Sequence, residues 1–525
     1  MPSNYKRRRT FAIISHPDAG KTTLTERLLL AAGRIRLAGE VKARGDKRRA
    51  RSDWMKIEQE RGISVTSSVM TFEYDGLVFN LLDTPGHEDF SEDTYRTLTA
   101  VESAVMVIDA AKGIESQTLK LFEVCRLRDI PIMTLINKVD REARDPFDLM
   151  DELQDKLALD AAPMMWPVGM GSDFHGCFDL GADQFLTSRR GNGAAFDTVI
   201  ECTGPEDGQL DDRVASHVLE AARENIELAR AAYPAFERAA YREGHLTPVL
   251  FGSALKDYGV KALLDLLASN APEPRPSPTE NRAVDPSEPS VSGFVFKVQA
   301  NMDKNHRDRV AFLRLCSGQF QRGMKLRQVR TGKDVMVHSP IFFMAQDREI
   351  AEVAGPGDVI GIPNHGTVRV GDSFTEGEAL RFTGLPAFAP EVLCRARVPD
   401  ASKVKQLRQA LVDLAEEGLI QVFKPLLGSQ WIFGVVGVLQ LDVLKSRAKQ
   451  EYRIDLETET TAFVSARWLR SQDEIKLRTF VDAHRMSIVL DRDENPVFLA
   501  KSPWELDYAV KNNEGIDFLK TKELE

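Results

Sequence analysis

Apolar runs of strand length alternate with helical segments through the first half of the chain. The predicted strands lie at 11–14, 77–82, 103–109, 131–136 and 248–250. Continuous apolar runs of this length are typical of parallel strands that helices cover on both faces. The alternation therefore predicts an α/β domain with a mostly parallel sheet, placed at 1–275 with an inserted subdomain at about 165–247.

The hydrophobic period changes to two beyond a polar, proline-rich stretch, which we interpret as a linker at 276–290. Alternating strands separated by glycine turns predict an antiparallel β-barrel at 291–385. A strand-helix-strand-strand-helix-strand pattern then predicts a ferredoxin-like α+β domain at 386–525. No internal repeat is visible in the sequence, and the stretch from Leu490 carries no motif.

Composition excludes several classes of protein. The chain has 525 residues and a formal net charge of −10, so non-specific binding to nucleic acid is not expected, and DNA is not an expected partner. Its five cysteines are scattered without a C-x-x-C pair, as in proteins with reduced thiols. No apolar run reaches the ~18–20 residues of a membrane span, and the basic N-terminus leads directly into a strand-like run. We expect a cytoplasmic protein that does not bind membranes and that has roughly three domains.

A phosphate-binding loop is predicted between the first strand and the first helix. A loop that ends in Gly-Lys-Thr at a helix N-terminus directs backbone N–H groups and the helix dipole at an anion. Lys21 is expected to reach the β- and γ-phosphates, and the Thr22 hydroxyl to ligate Mg²⁺. Since Ser15 stands where the usual pattern has glycine, a turn that merely begins a helix is the alternative. The predicted nucleotide-binding residues are Ser15, His16, Pro17, Asp18, Ala19, Gly20, Lys21, Thr22 and Thr23.

A second phosphate-site motif, D-x-x-G, follows the strand at 77–82. It comprises Asp83, Thr84, Pro85, Gly86 and His87. In an open parallel sheet the ligand lies beyond the carboxyl ends of the strands, where Asp83 can hold Mg²⁺ through a water molecule. The N–H of Gly86 is expected to contact the γ-phosphate and His87 to face the attacking water. The alternative is a surface turn with an incidental aspartate.

The strand at 131–136 ends in a motif that predicts guanine recognition. It comprises Asn137, Lys138, Val139 and Asp140. A carboxylate at Asp140 can accept hydrogen bonds from the N1–H and the 2-amino group of guanine, and adenine offers neither pattern. Asn137 is expected to bond the base edge and brace the phosphate loop, and the Lys138 stem to cover the purine. A further base contact is predicted at the backbone of Ser253, Ala254 and Leu255.

Lysine and arginine dominate the segment 34–51, which departs from the acidic mean of the chain. Such a segment is either a solvated surface loop or a contact to nucleic-acid phosphates, in this case RNA. The pattern alone favours neither.

With three guanine-nucleotide motifs in order, the first domain resembles the translational GTPases, the group of elongation factors G and Tu. DTPGH and RGIS carry this resemblance, and RVAFLRLCSGQFQRGMKL in the predicted barrel resembles the group's second domain. A narrower resemblance, from about residue 8 to at least 470, is to the bacterial class II peptide chain release factors (release factor three). Its phrases are SHPDAGKTT, SDWM…ERGISVTSSVM, DTPGHEDFSEDTYRTLTAVESAVMVIDAAKG and GFVFKVQANMDKNHRDRVAFLR.

This resemblance implies a ribosome-dependent GTPase of translation termination. Such a protein ejects a class I release factor after peptide release, hydrolyses GTP to GDP and phosphate, and leaves. The implied cofactors are GTP or GDP and Mg²⁺. The implied partners are class I release factors and the ribosome, through the RNA and proteins of both subunits, and the protein is expected to be a monomer in solution.

The resemblance also implies roles for individual residues. Ribosomal RNA would orient His87, and Lys21 and Gly86 would complete the catalytic set. Ser64 would be a metal ligand together with Thr22 and, through water, Asp83. Ser64 replaces the threonine of the wider group, and the nearby Thr66 is a rival ligand.

Three alternatives to this function remain at the level of the sequence. The first is another ribosome-bound translational GTPase of the elongation-factor type. The second is a GTP-dependent ribosome-binding module without hydrolysis, which His87 disfavours. The third is a metabolic P-loop kinase, which the N-K-V-D motif and the predicted barrel disfavour.

Overall fold

A computed structural model describes residues 5–33, 68–188, 197–300, 309–343, 348–364, 366–428 and 431–524 of the chain. The basic segment 34–51 lies outside the described residues. The two candidate metal ligands Ser64 and Thr66 also lie outside them.

The N-terminal part contains eleven strands and seven helices among its described residues. The strands are β1 (Arg8–Ser15), β2 (Ser68–Tyr74), β3 (Leu77–Asp83), β4 (Ser103–Asp109), β5 (Ile132–Asn137), β6 (Asp160–Pro163), β7 (Met165–Val168), β8 (Gly176–Asp179), β9 (Gln184–Ser188), β10 (Asp197–Glu201) and β11 (Leu246–Gly252). The helices are α1 (Lys21–Ala31), α2 (Ser91–Leu98), α3 (Ser116–Leu127), α4 (Pro146–Leu157), α5 (Ser216–Ala232), α6 (Arg238–Arg242) and α7 (Val260–Asn270).

Seven of these strands form one sheet in the order β2-β3-β1-β4-β5-β11-β6. All neighbouring pairs are parallel except the hairpin of β2 and β3. Every residue of β4 and β5 is buried, as continuous apolar runs require when helices cover both faces. The predicted α/β domain with a mostly parallel sheet is confirmed. Because β1, β3, β4 and β5 run in the same direction, the loops that follow them meet at one edge.

Four strands between β6 and α5 form a separate antiparallel sheet in the order β10-β9-β8-β7. This sheet lies within the range of the predicted insert. Trp166 of β7 is buried, with ring centroids 4.6 Å from Phe147 and 5.6 Å from Phe251. The small sheet therefore packs on the main core through an aromatic cluster.

The middle part is antiparallel. Its strands are β12 (Ser277–Pro278), β13 (Ala283–Val284), β14 (Ser292–Ala300), β15 (Arg309–Ser317), β16 (Phe320–Gln321), β17 (Lys325–Gln328), β18 (Lys333–Met336), β19 (Ile341–Phe343), β20 (Arg348–Ile350), β21 (Val353–Ala354), β22 (Val359–Asn364) and β23 (Ser373–Thr375). Eight of them form one sheet in the order β18-β17-β23-β14-β15-β22-β19-β20. A buried ion pair between Arg314 and Glu102, and one of 3.1 Å between Arg8 and Asp358, join this sheet to the N-terminal part.

The C-terminal part contains two successive α+β units. The elements of the first are β25 (Val392–Arg397), α8 (Val404–Glu416), β26 (Gln421–Pro425), β27 (Ile432–Val435), α9 (Val438–Tyr452) and β28 (Glu457–Thr460). Those of the second are β29 (Ser465–Arg470), α10 (Glu474–Ala483), β30 (Ile488–Leu490), β31 (Pro496–Ala500), α11 (Pro503–Asn512) and β32 (Asp517–Leu519), and β24 (Pro386–Phe388) pairs with β33 (Thr521–Glu523).

The strand order β28-β25-β27-β26 is that of the predicted ferredoxin-like unit, and β30-β31-β29-β32 repeats it. The two units meet where the ends of β26 and β30 pair. The two units therefore share one topology, although no repeat is visible in the sequence. The second unit has strands of three to six residues. Such short strands carry little periodic signal, and for this reason the stretch from Leu490 was not predicted.

Candidate nucleotide-binding site

The loop between β1 and α1 ends in a glycine that the local geometry requires. Gly20 has a φ of 104°, and a Cβ there would lie 2.3 Å from Nδ2 of Asn137. This glycine precedes α1, and no side chain caps the helix. Since the first N–H groups of a helix attract anions, the N-terminus of α1 suits a phosphate. The Ser15 hydroxyl is buried without a hydrogen-bond partner at the start of the same loop.

Lys21 and Asp83, the predicted phosphate and metal-water ligands, form a buried ion pair. Nζ of Lys21 lies 2.7 Å from Oδ1 of Asp83. The next residue fixes the turn, because the Thr84 hydroxyl donates to the Ile13 carbonyl at 2.7 Å. A Cβ on Gly86 would lie 3.6 Å from Cα of Pro17. The D-x-x-G segment thus lies directly against the phosphate loop, as its position at the end of β3 predicts.

His87 is half-buried at the start of a short 3₁₀ turn, Glu88–Phe90. Its Nδ1 accepts a hydrogen bond of 3.2 Å from the N–H of Asp89. The same nitrogen lies 3.3 Å from Oδ1 of Asp89. Nδ1 either accepts from the Asp89 N–H or, when it carries the hydrogen, donates to the carboxylate. In both arrangements Asp89 holds one side of the imidazole, and Nε2 is the nitrogen left to interact with a water molecule.

Asn137 joins two loops that are far apart in the chain. Its Nδ2 donates to the Ala19 carbonyl at 2.8 Å, and its Oδ1 accepts from the Ala254 N–H at 2.9 Å. The predicted bracing of the phosphate loop is therefore present as a hydrogen bond. The N–H of Ala254, within the segment predicted to contact the base, is bonded to Asn137 here. A contact of this N–H with a base would share or replace that bond.

Lys138 links the phosphate loop to the end of β4. Its Nζ donates to the Asp18 carbonyl at 2.6 Å and to Oδ2 of Asp109 at 2.7 Å. Burial acts to raise the pKa of Asp109, but hydrogen bonds from Lys138 and the Ala111 N–H outweigh it and lower this pKa below its usual value. The ammonium is thereby held over the edge of the sheet, and its aliphatic stem can cover a flat base.

Asp140 lies next to the loop after β11. Its Oδ2 is 3.3 Å from Nζ of Lys256, and Lys256 is largely exposed. The Ser253 side chain caps the short turn Ala254–Lys256 by accepting from the Lys256 N–H. The structure thus brings the 137–140 and 253–255 segments together, although more than a hundred residues separate them.

Three residues near this site were not predicted from the sequence. Asp109 ends an apolar strand at the same sheet edge as Asp83, and this position could have identified it. Lys256 carries no sequence signal of its own, because its partner Asp140 is distant in the chain. Asp89 lies two residues after His87, and this proximity could have identified it. Ser64, in contrast, was predicted and lies outside the described residues.

The residues present fit a guanine nucleotide with a magnesium ion. The glycine-lined turn, the buried Lys21 and the uncapped N-terminus of α1 suit a polyphosphate. The Thr22 hydroxyl and the Asp83 carboxylate are oxygen donors of the kind that Mg²⁺ prefers, and phosphate and water oxygens would be its further ligands. In the described part of the chain, no cluster of three or more His, Cys, Asp or Glu side chains offers an all-protein metal site.

Comparison with known proteins gives three adjacent family matches. Residues 6–273 match the elongation factor Tu GTP binding domain, residues 290–377 match elongation factor G domain 2, and residues 382–510 match the C-terminal domain of class II release factor RF3. Among solved structures, the crystal structure of ttk003000868 from Thermus thermophilus is similar, with a TM-score of 0.69 and 23% identity over 89% of this chain and 69% of that chain. At that identity, the likeness shows the fold alone.

Proposed function

Because the chain belongs to the class II release factors, a family of the translational GTPases, we propose that it removes class I release factors from the ribosome after peptide release. It binds GTP, enters the ribosome, ejects the class I factor and then hydrolyses GTP to GDP and phosphate. The family match of residues 382–510 carries this proposal, because it separates this chain from elongation factors with the same first two domains.

Guanine specificity is assigned to the segments that Asn137 joins. Asp140 would accept from the N1–H and the 2-amino group of guanine, and an adenine base would leave this carboxylate unpaired. Lys138 would cover the base while its ammonium stays bonded to Asp109. The hydrogen bonds of Asn137 to Ala19 and Ala254 support this assignment, since they hold the base-binding and phosphate-binding loops in one unit.

Catalysis would come from positioning and charge stabilisation. Lys21 would leave Asp83 to bond the β- and γ-phosphates, and the Gly86 N–H would contact the γ-phosphate. Mg²⁺ supplies positive charge at the phosphate oxygens when bound, with Thr22, Asp83 through water, and Ser64 as its proposed ligands. His87 would orient the attacking water once ribosomal RNA fixes its ring.

The proposed partners are class I release factors and the ribosome, through the RNA and proteins of both subunits. We place the protein in the cytoplasm as a monomer. Among the described residues, no helix combines the length and apolar character that a membrane crossing needs.

The decisive experiment uses ribosomes that carry a labelled class I release factor after peptide release. The protein is added with GTP, with GDP or with ATP, and dissociation of the label is followed. The proposal is supported if the labelled factor dissociates faster with GTP and not with GDP or ATP. If the label stays bound while the same ribosomes stimulate GTP hydrolysis, the protein is a translational GTPase of the elongation-factor type. If hydrolysis is also absent while the protein still binds these ribosomes only with GTP, it is a GTP-dependent ribosome-binding module.

A further inference from the structure

The carboxylate of Asp89 contacts two domains at once. Its Oδ1 lies 3.3 Å from Nδ1 of His87. Its Oδ2 accepts a hydrogen bond of 2.6 Å from the N–H of Leu439, in the first turn of α9. One carboxylate thus connects the residue proposed to orient water with the C-terminal part of the chain.

Helix α9 has no cap of its own. Gly437 stands at the N-cap position without a side chain, and no acidic residue occupies the first turn. Asp89 therefore supplies the acceptor and the negative charge that a helix N-terminus favours. The contact is specific to glycine, because a Cβ on Gly437 would lie 2.1 Å from Cγ of Asp89. The φ of −147° at Gly437 is extended backbone that alanine also adopts.

An apolar contact accompanies this cap. Phe90, the residue after Asp89, is buried against Val443, one turn further along α9. Leu419 and Leu439 pack on the same pair. The 3₁₀ turn that carries Asp89 is therefore docked on α9 by both a charged and an apolar contact.

We propose that Asp89 is a positioning residue for His87, and that Asp89 acts in this way only while α9 is docked on the 3₁₀ turn. The inference rests on the proposed role of His87 in orienting water. Asp89 holds Nδ1 through its backbone N–H or, when Nδ1 carries the hydrogen, through its carboxylate, so the ring presents Nε2 to the substrate water. The N-terminus of α9 holds the carboxylate in turn. Docking of α9 on the 3₁₀ turn thereby controls the position of the imidazole.

The test is single-turnover GTP hydrolysis on ribosomes by the full chain. We expect Asp89→Ala and Gly437→Ala each to lower the rate by about tenfold or more, since a misplaced catalytic group costs rate steeply, while GTP affinity stays within about threefold. The double variant should be no slower than either single variant, because both remove one contact. Asp89→Asn should recover most of the rate, as asparagine caps helices nearly as well as aspartate. Val438→Ala, at an exposed neighbour, is the matched control.

Hydrogen exchange at the Leu439 amide reports the contact directly. Gly437→Ala should speed this exchange and Asp89→Asn should preserve protection. Full hydrolysis by Gly437→Ala with an unprotected amide, or unchanged exchange in that variant, overturns the inference. The His87→Ala variant tests the proposed role of His87 separately, and normal GTP hydrolysis by this variant would contradict that role. If hydrolysis is slow in His87→Ala and fast in Gly437→Ala, only the proposed role of Asp89 is contradicted.

Discussion

The ammonium of Lys21 lies 2.7 Å from Oδ1 of Asp83, and both side chains are buried at the carboxyl edge of the sheet. The first residue of α1 and the last residue of β3 are thus bonded to each other. The two are proposed to hold a phosphate and a metal-bound water. Nucleotide binding therefore requires Lys21 and Asp83 either to separate or to accommodate the phosphate and the ion between them.

Replacement of Lys21 tests the phosphate role. Lys21→Ala should weaken both GTP and GDP binding by at least about tenfold, because a hydrogen bond to a charged group contributes roughly 1.5–3 kcal/mol. Titration with a fluorescent guanine nucleotide measures this change. Lys261→Ala, the control, removes a lysine that pairs with Asp265 at 2.7 Å on the helix surface. Equal losses in the two variants would contradict a specific role for Lys21.

Replacement of His87 should separate binding from turnover. His87→Ala should leave GTP affinity within a few-fold and lower ribosome-stimulated hydrolysis by at least ~100-fold, the scale of losing a group that stabilises the transition state. Stopped-flow phosphate release gives the rate. The exposed His245 provides the control variant His245→Ala. Unchanged phosphate release from His87→Ala would remove this residue from the mechanism.

Two glycines with positive φ form a matched pair. Gly20 has a φ of 104° and meets Asn137 at 2.3 Å, whereas Gly33 has a φ of 72° and nothing within 4 Å. Both alanine substitutions impose about 1–2 kcal/mol of backbone strain. We expect only Gly20→Ala to break the Asn137 brace and lower nucleotide affinity, by about tenfold or more. Similar affinities in Gly20→Ala and Gly33→Ala would show that the brace is dispensable.

Base recognition by Asp140 can be inverted chemically. Xanthine carries an acceptor where guanine carries its 2-amino group, and an asparagine amide can donate to it. Asp140→Asn should therefore weaken GTP binding by about 100-fold or more and improve binding of xanthosine triphosphate. Competition titrations with both nucleotides measure the switch. Asp155→Asn, at an exposed position, controls for loss of charge. Retained GTP preference would place the base elsewhere.

The ion pair of Asp109 and Lys138 predicts a dependence on acidic pH. Because the pKa of Asp109 is lowered in the folded protein, its contribution to stability is present above the unfolded pKa of about 3.9 and is lost as pH falls through the folded value. Asp109→Asn should lower the melting temperature at pH 7, and its difference from the parent should shrink below about pH 4. Melting curves across this pH range measure the difference, and Asp482→Asn, at an exposed position, is the control. A difference that persists in acid would exclude a charge effect.

Local patterns predicted the first domain well. The strand predicted at 103–109 is β4 residue for residue. Parallel strands bring their carboxyl ends to one edge, so the convergence of the motifs at Gly20, Asp83 and Asn137 could be inferred without coordinates. Periodicity and turn chemistry are local properties, and the sequence expresses them directly.

Side-chain partners across domains followed from packing alone. The bond of Asp89 to Leu439 joins residues 350 positions apart, and no local pattern in either segment indicates the other. The duplicated topology after Ser465 likewise left no pattern in the sequence. By itself the sequence determined the nucleotide loops, the element order and the family resemblance, because each depends on residues near one another in the chain. Only the tertiary structure decided which charges meet, because those contacts arise when separate cores dock and bury them together.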